Sequence, residues 1–195
     1  RQRAQDAGAH RYAGTFTKIT RDADGTHVVY RDKISGNDMR LTTKLVIGAD
    51  GARSNVARAE IKDGDKIPYV IAYHEIIEAP AANATYDPLR CDVVYDGRIS
   101  PDFYGWVFPH GAQASVGMGS MLKSVDVKQA TADLRAASGL TDCKTIRREG
   151  APIPLKPLDC WDNGRDVVLA GDAAGVVAPS SGEGIYYAMV GGRVA

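Results

Sequence analysis

The sequence predicts an α/β fold in which two strand–turn–helix units, near positions 45–60 and 166–193, flank an inserted antiparallel-sheet domain. Two observations carry this. Short apolar runs, Leu45-Val46-Ile47 and Val167-Val168-Leu169, each lead through glycine to an aspartate ahead of a helix-like stretch. That is the pattern of strands buried on both faces and followed by a tight turn. Between them lie β-rich segments separated by Asp-Gly and Pro/Gly turns, which read as antiparallel strands. The expected limits are 1–60 for part of a first domain, 61–150 for the inserted domain and 151–195 for the return to the first.

Taken in order, Arg1 to Gly8 reads as the last turns of a helix closed by glycine. Ala13 to Thr20 and Thr26 to Asp32 are strands rich in Thr, Val, Ile and aromatic residues, joined through Asp22-Ala23-Asp24-Gly25, a hairpin signal. A second turn, Ser35-Gly36-Asn37-Asp38, leads into a third strand, Met39 to Gly48, completing a meander. A helix follows, capped by Ser54 or, at an earlier boundary, Asp50, with Val56 and Ala57 on its inner face. Ile61 to Pro68 is a charged connection into the second domain.

Tyr69 to Ile77 and Cys91 to Tyr95 read as strands, with a loop-like Ala79 to Leu89 between them. His74 beside Glu75 suggests acid–base chemistry, but strand neighbours point to opposite faces, so the two are not expected to act together. Tyr104, Trp106 and Phe108 alternate, so their rings share one face of a strand. Ala114 to Gly119 returns with small residues that leave room beside them. Such a stripe is either a core face or the wall of a substrate cavity. Ser124 to Gly139 is the clearest helix, capped by Ser124 or Asp126. Gly150 to Gly164, with three prolines, reads as an ordered connection back to the first domain.

Composition narrows the function. A formal net charge of zero argues against a nucleic-acid partner held by phosphate neutralisation. Cys91, Cys143 and Cys160 are scattered outside metal-ligand spacing, so reduced thiols and no metal are expected, with a cytoplasmic location. No stretch approaches the roughly 20 apolar residues that span a bilayer.

The most informative stretch is Asp166 to Arg193. Gly171, Asp172, Ala173 and Gly175 let a ligand approach the backbone closely and offer one carboxylate. Pro179 to Gly182 then turns into a helix from about Gly184, whose free N–H groups face the same cleft. A strand-turn-helix crossover with glycines for packing is the plainer reading. GDAAG followed by PxxGEGI resembles, however, the second FAD fingerprint of flavoproteins of the aromatic-hydroxylase fold, which is Rossmann-like. GADGxxS at positions 48–54 resembles the other internal fingerprint of that superfamily. The resemblance implies that Asp172 bonds the ribityl chain of FAD and that the helix after Gly182 points at the pyrimidine edge of the flavin. It also implies that Asp50 and Gly51 lie by the pyrophosphate and the path of the nicotinamide cofactor. The family places an arginine three residues after the serine; here that position is Ala57 and Arg58 follows, so Asp50 and Gly51 carry over ahead of Arg53 or Arg58.

The order Tyr104-x-Trp106-x-Phe108-Pro109 resembles the substrate-cavity motif of the geranylgeranyl reductases, and GAPIPLKPL through SSGEGIYYAM extends the likeness. The chain is most similar to those reductases that act on the chlorophyll or bacteriochlorophyll tail. The resemblance implies FAD reduced by NADPH, an isoprenoid or pigment substrate whose geranylgeranyl group is converted to phytyl, and peripheral contact with a photosynthetic membrane. Cofactor contacts would come from Asp50, Gly51, Arg53, Gly171, Asp172, Ala173, Pro179, Gly182 and Gly184. Substrate contacts would come from Tyr104, Trp106, Phe108 and Pro109. Tyr104, Tyr73 and His110 are proton-donor candidates by type, beside water and flavin, whereas Glu183 reads as a helix-start residue. A flavin hydroxylase or halogenase, or a prenyl-binding escort protein, would share these fold-level features. Both chain ends look cut, so a longer enzyme with an upstream GxGxxG turn is expected.

Overall fold

The computed structural model describes residues 2–178 and 181–195. The chain divides into two compact units, one of residues 1–67 and 156–195, the other of residues 68–155.

The first unit begins with a short helix α1 (Gln2–Asp6) and the antiparallel strands β1 (Gly14–Asp22), β2 (Gly25–Asp32) and β3 (Asp38–Thr43), in the order β1-β2-β3. Asp22 pairs with Gly25 across the first hairpin, and the Asp22 carboxylate accepts from the Asp24 N–H, 2.9 Å away. This is the side-chain-to-backbone bond that makes aspartate a turn former. The expected long third strand is two strands. The Thr43 hydroxyl donates to the Leu45 carbonyl at 2.8 Å, the chain bends, and β4 (Val46–Gly48) leaves the meander to pair in parallel with β10 (Val167–Leu169).

Around that parallel pair sit α2 (Asn55–Glu60), a 3-10 turn (Gly171–Ala174) and α4 (Ile185–Val194). Val56, Ala57 and Ile61 from α2 and its end pack with Val167, Leu169, Ala173 and Ala174, and Phe16 and Ile19 of β1 close the cluster. An ionic clip ties the meander to this core. Arg21 on β1 donates to both oxygens of Asp166 at 2.8 Å and to Glu60 Oε2 at 2.6 Å. Thr26 and Asn163 also donate to the Asp166 carboxylate. Bonding to Arg21 outweighs burial and holds that carboxyl well below the usual range.

The second unit is a five-stranded antiparallel sheet, in the order β6-β7-β8-β5-β9, with one helix on one face. Its strands are β5 (Tyr69–Glu78), β6 (Asp92–Val94), β7 (Gly105–His110), β8 (Gln113–Ser120) and β9 (Thr145–Pro154). The helix, α3 (Val127–Ala137), is capped by Asp126, which accepts from the Lys128 and Gln129 N–H groups. Ile77, Val107, Val116 and Met118 meet Ala130 and Leu134 of α3, and Tyr86 and Leu140 complete this core. Arg135 of α3 bonds Glu75 at 2.5 Å and donates to the Cys143 carbonyl, fixing the helix over the sheet. Burial pushes the Glu75 carboxyl up, but hydrogen bonds from Arg148, Arg135, Thr145 and Tyr73 outweigh it and hold it below its usual value.

The segment from Gly150 is not all connection, because Gly150 to Pro154 is the end of β9. β9 is an edge strand, where a proline costs no ladder bond on the open side and charged Arg147, Arg148 and Glu149 discourage further pairing.

Candidate functional site

Parallel pairing of Leu169 with Gly48 brings the carboxyl ends of β4 and β10 side by side. Chain segments leaving two such ends share one crevice, the usual ligand position in α/β sheets. Asp50 and Gly51 leave one strand and Gly171 and Asp172 the other, so both sequence motifs reach the same end of the first unit.

The two acids differ in what they do there. Asp50 is fully engaged: it accepts from the Ser54 hydroxyl at 2.5 Å and from the N–H groups of Asn55 and Val56 at 2.7 and 3.3 Å. Ser54 in turn accepts from the Ala57 N–H at 2.8 Å. Both cap candidates therefore serve α2, with Ser54 as the N-cap and Asp50 bracing it. Gly51, with φ +86°, has open space around it. Arg53 is exposed in the turn beyond. Ala57 is buried in the core and Arg58 is exposed, so position 57 cannot carry a cation toward solvent here.

Asp172 has no side-chain hydrogen bond among the described residues, and burial pushes its carboxyl up. Gly184, the residue before α4, lies against it: a methyl group at position 184 would stand 3.0 Å from Asp172 Oδ1 and 3.1 Å from Val177 Cγ1. The carboxylate thus faces the amino end of α4, and a side chain at position 184 would crowd it. Gly182 precedes this turn with φ +66°. Glu183 accepts from the Tyr186 N–H at 3.2 Å, the helix-start role expected of it. Gly171 packs against Ala188 of α4, and Ala173 is buried in the core, so Ala173 offers a ligand only backbone. Pro179 lies outside the described residues.

In the second unit, Tyr104, Trp106 and Phe108 share the sheet face opposite α3. Their rings are 6.1 and 6.3 Å apart in sequence order, Phe103 stacks on Tyr104 at 4.3 Å, and Ala72 and Ile153 pack with them. The helix-side core takes Val107 instead, and Tyr104 and Trp106 form a second buried cluster with Ala72 on this face. Room for the rings comes from β8, whose Ser115, Gly117 and Gly119 face them. A methyl at Gly117 would lie 2.6 Å from Trp106 Cζ2 and 2.4 Å from both His74 Cβ and the Tyr73 carbonyl oxygen.

Strand alternation corrects two candidates. Pro109 follows Val107 onto the other face, opposite Ala114. Tyr73 also lies on the α3 face, donating to Glu75 at 3.0 Å, so it is removed from the aromatic surface. His110 is exposed at the hairpin end of β7. Burial raises the Tyr104 hydroxyl, keeping it protonated through neutral pH. His74 and Glu75 do point apart: His74 meets Ser115 and Glu149, groups whose proximity depends on strand register and which the sequence reading did not connect.

Among the described residues no cluster of metal-ligating side chains occurs, and no helix is long and apolar enough to cross a membrane.

Residues 1–67 match the family model described as FAD binding domain. The whole chain is 65% identical to a geranylgeranyl diphosphate reductase of Rhodobacter capsulatus, covering 49% of that protein. It is 38% identical over its whole length to a chloroplastic geranylgeranyl diphosphate reductase of Oryza sativa, covering 44% of it. The crystal structure of a geranylgeranyl bacteriochlorophyll reductase-like protein from Thermoplasma acidophilum superposes with TM-score 0.81 at 24% identity, over 96% of this chain and 48% of that one. The chain spans about half the length of the curated relatives it matches. Over its whole length it is similar to about half of these geranylgeranyl diphosphate reductases, and it has the FAD-binding flavoprotein fold.

Proposed function

We propose that this chain provides flavin- and isoprenoid-contacting parts of an FAD-dependent reductase, driven by NADPH, that saturates geranylgeranyl double bonds to phytyl. The substrate is the tail of chlorophyll or bacteriochlorophyll, or geranylgeranyl diphosphate. The observation that carries the reading is the parallel pairing of β4 with β10, which delivers Asp50-Gly51 and Gly171-Asp172 to one end of the unit. The relatives' names, geranylgeranyl diphosphate reductases, support this reading of the reaction.

The residues suit the cofactor. Asp172 is an acceptor without a side-chain partner among the described residues, set against the amino end of a helix, which fits a polyol hydroxyl as donor. Gly182 and Gly184 leave the start of α4 open to the electron-rich ring system, and Gly171 and Ala173 contribute backbone. Asp50 orders the α2 turn, so that Gly51, and Arg53 beyond it, meet the pyrophosphate. When bound, FAD supplies the hydride.

An isolated trisubstituted alkene is unpolarised, so the protein must also provide a dry surface and a proton. Tyr104, Trp106 and Phe108 offer the apolar wall, where burial contributes roughly 0.8 kcal/mol per CH2 group of the chain. Of the three residues singled out by type, Tyr104 alone is a protonated hydroxyl within that wall and is the proton source in this reading. A substrate of this kind also implies peripheral membrane contact; full activity without lipid or detergent would count against that part.

The test is anaerobic turnover of the protein with NADPH and each geranylgeranyl substrate, read by mass spectrometry. A gain of two hydrogens per saturated bond is expected. Product formed only with oxygen uptake would mark a flavin hydroxylase, and bound flavin without any turnover an escort protein; either overturns the reading.

A further inference from the structure

On the aromatic face of the second unit, polar groups from four strands form a chain. The Trp106 indole Nε1–H donates to Ser115 Oγ at 3.0 Å, Ser115 Oγ contacts His74 Nδ1 at 2.8 Å, and His74 Nε2 contacts Glu149 Oε2 at 3.1 Å. Arg147 holds the other Glu149 oxygen at 3.1 Å. These strands are β7, β8, β5 and β9, so the chain exists only when all four are in register. We propose that His74 is a positioning residue for the aromatic wall: braced by Glu149, it fixes the Ser115 hydroxyl that anchors Trp106, and thereby sets the surface presented to an isoprenoid chain.

Indole is a donor only, so the buried Trp106 N–H needs an acceptor, and Ser115 is the one it has. A serine hydroxyl left to itself turns among three rotamers. Contact with the imidazole nitrogen selects one of them, and the Glu149 carboxylate on the far side prevents the ring from flipping. The groups facing His74 are Ser115 from β8, the Trp106 ring 6.2 Å away from β7, and the Glu149–Arg147 pair from β9. Beneath the indole, Gly117 allows the ring to lie close against β8. Trp106 is therefore tied inward at its polar atom, which leaves only carbon to face an apolar ligand. A freely turning indole would expose its N–H to the same ligand and cost affinity.

The proposal rests on the isoprenoid reading of this face, and its test separates the two. Trp161 is the second tryptophan of the chain, and its Nε1–H donates to the Leu158 carbonyl in the other unit. In a Trp161→Phe background Trp106 is the single emitter. There, His74→Leu and Ser115→Ala are each expected to red-shift Trp106 emission and lower its anisotropy. Both should raise KM for the geranylgeranyl substrate about tenfold, with kcat within about twofold. His74→Asn, whose amide reaches the Nδ1 position, should restore both readouts most of the way. Unchanged Trp106 emission in His74→Leu and Ser115→Ala would overturn the proposal, as would a fall in kcat at constant KM. Emission is read without turnover, so a parent protein that reduces nothing would fail the functional reading while leaving the positioning result to be scored on its own.

Discussion

Gly117→Ala tests the packing that makes room for the aromatic wall. The added methyl would meet His74 Cβ and the Tyr73 carbonyl oxygen at 2.4 Å each and Trp106 Cζ2 at 2.6 Å. Two of these three atoms belong to or are bonded to the β5 backbone, which cannot move without breaking the β5–β8 ladder, so relief by rotamer change is closed to them. Overpacking costs about 1–3 kcal/mol, and the rigid neighbours place this case near the upper end, about 3 kcal/mol. For a chain of this size that lowers Tm by about 6–12 °C. Gly97→Ala is the control, since nothing lies within 4 Å of the added methyl, and it should stay within about 0.5 kcal/mol of the parent. Urea unfolding of all three proteins in the Trp161→Phe background, followed by circular dichroism and Trp106 emission, gives the comparison. Equal midpoints for Gly117→Ala and Gly97→Ala would refute the reasoning.

Three further outcomes follow from the same structure. Arg21→Met leaves the buried Asp166 carboxylate without its main partner and should destabilise the protein on the order of 3 kcal/mol near neutral pH. Because the folded carboxyl is depressed, its contribution is complete above about pH 4 and lost as pH falls through the lower folded value, so parent and variant should converge in acid unfolding curves. Asp172→Asn should behave oppositely. Burial raises this carboxyl, so ionising it opposes folding above its folded pKa and has no effect below the unfolded one; the variant should match the parent near pH 3 and exceed it in thermal stability near pH 7. Tyr86→Phe removes a buried hydroxyl that has no hydrogen-bond partner among the described residues, and chemical denaturation should show it neutral or stabilising by up to about 1 kcal/mol.

What the sequence showed depended on distance along the chain. The Gly-Asp turns, the helix capped at Asp126 and closed at Gly139, and the one-sided Tyr-Trp-Phe stripe are written within a few residues and are found as expected. The division of 39–48 into β3 and β4 was not legible, because β4 is defined by a partner about 120 residues later. Likewise Gly150 to Pro154, proline-bearing, reads as a connection until the open edge of β5 makes it the end of a strand. The link from Trp106 through Ser115 to His74 and Glu149 needs the register of three ladders at once. Asp50 and Asp172 look alike as motif acids, yet one is consumed by capping α2 and the other makes no side-chain hydrogen bond among the described residues.

That difference offers the sharpest test of a flavin held at the ends of β4 and β10. Titrating FAD into the apoprotein, followed by flavin absorbance, should give binding that Gly97→Ala leaves unchanged and Asp172→Ala weakens about 10- to 100-fold, the loss of a hydrogen bond to a charged acceptor. Asp172→Ala binding FAD as tightly as the parent would contradict the account.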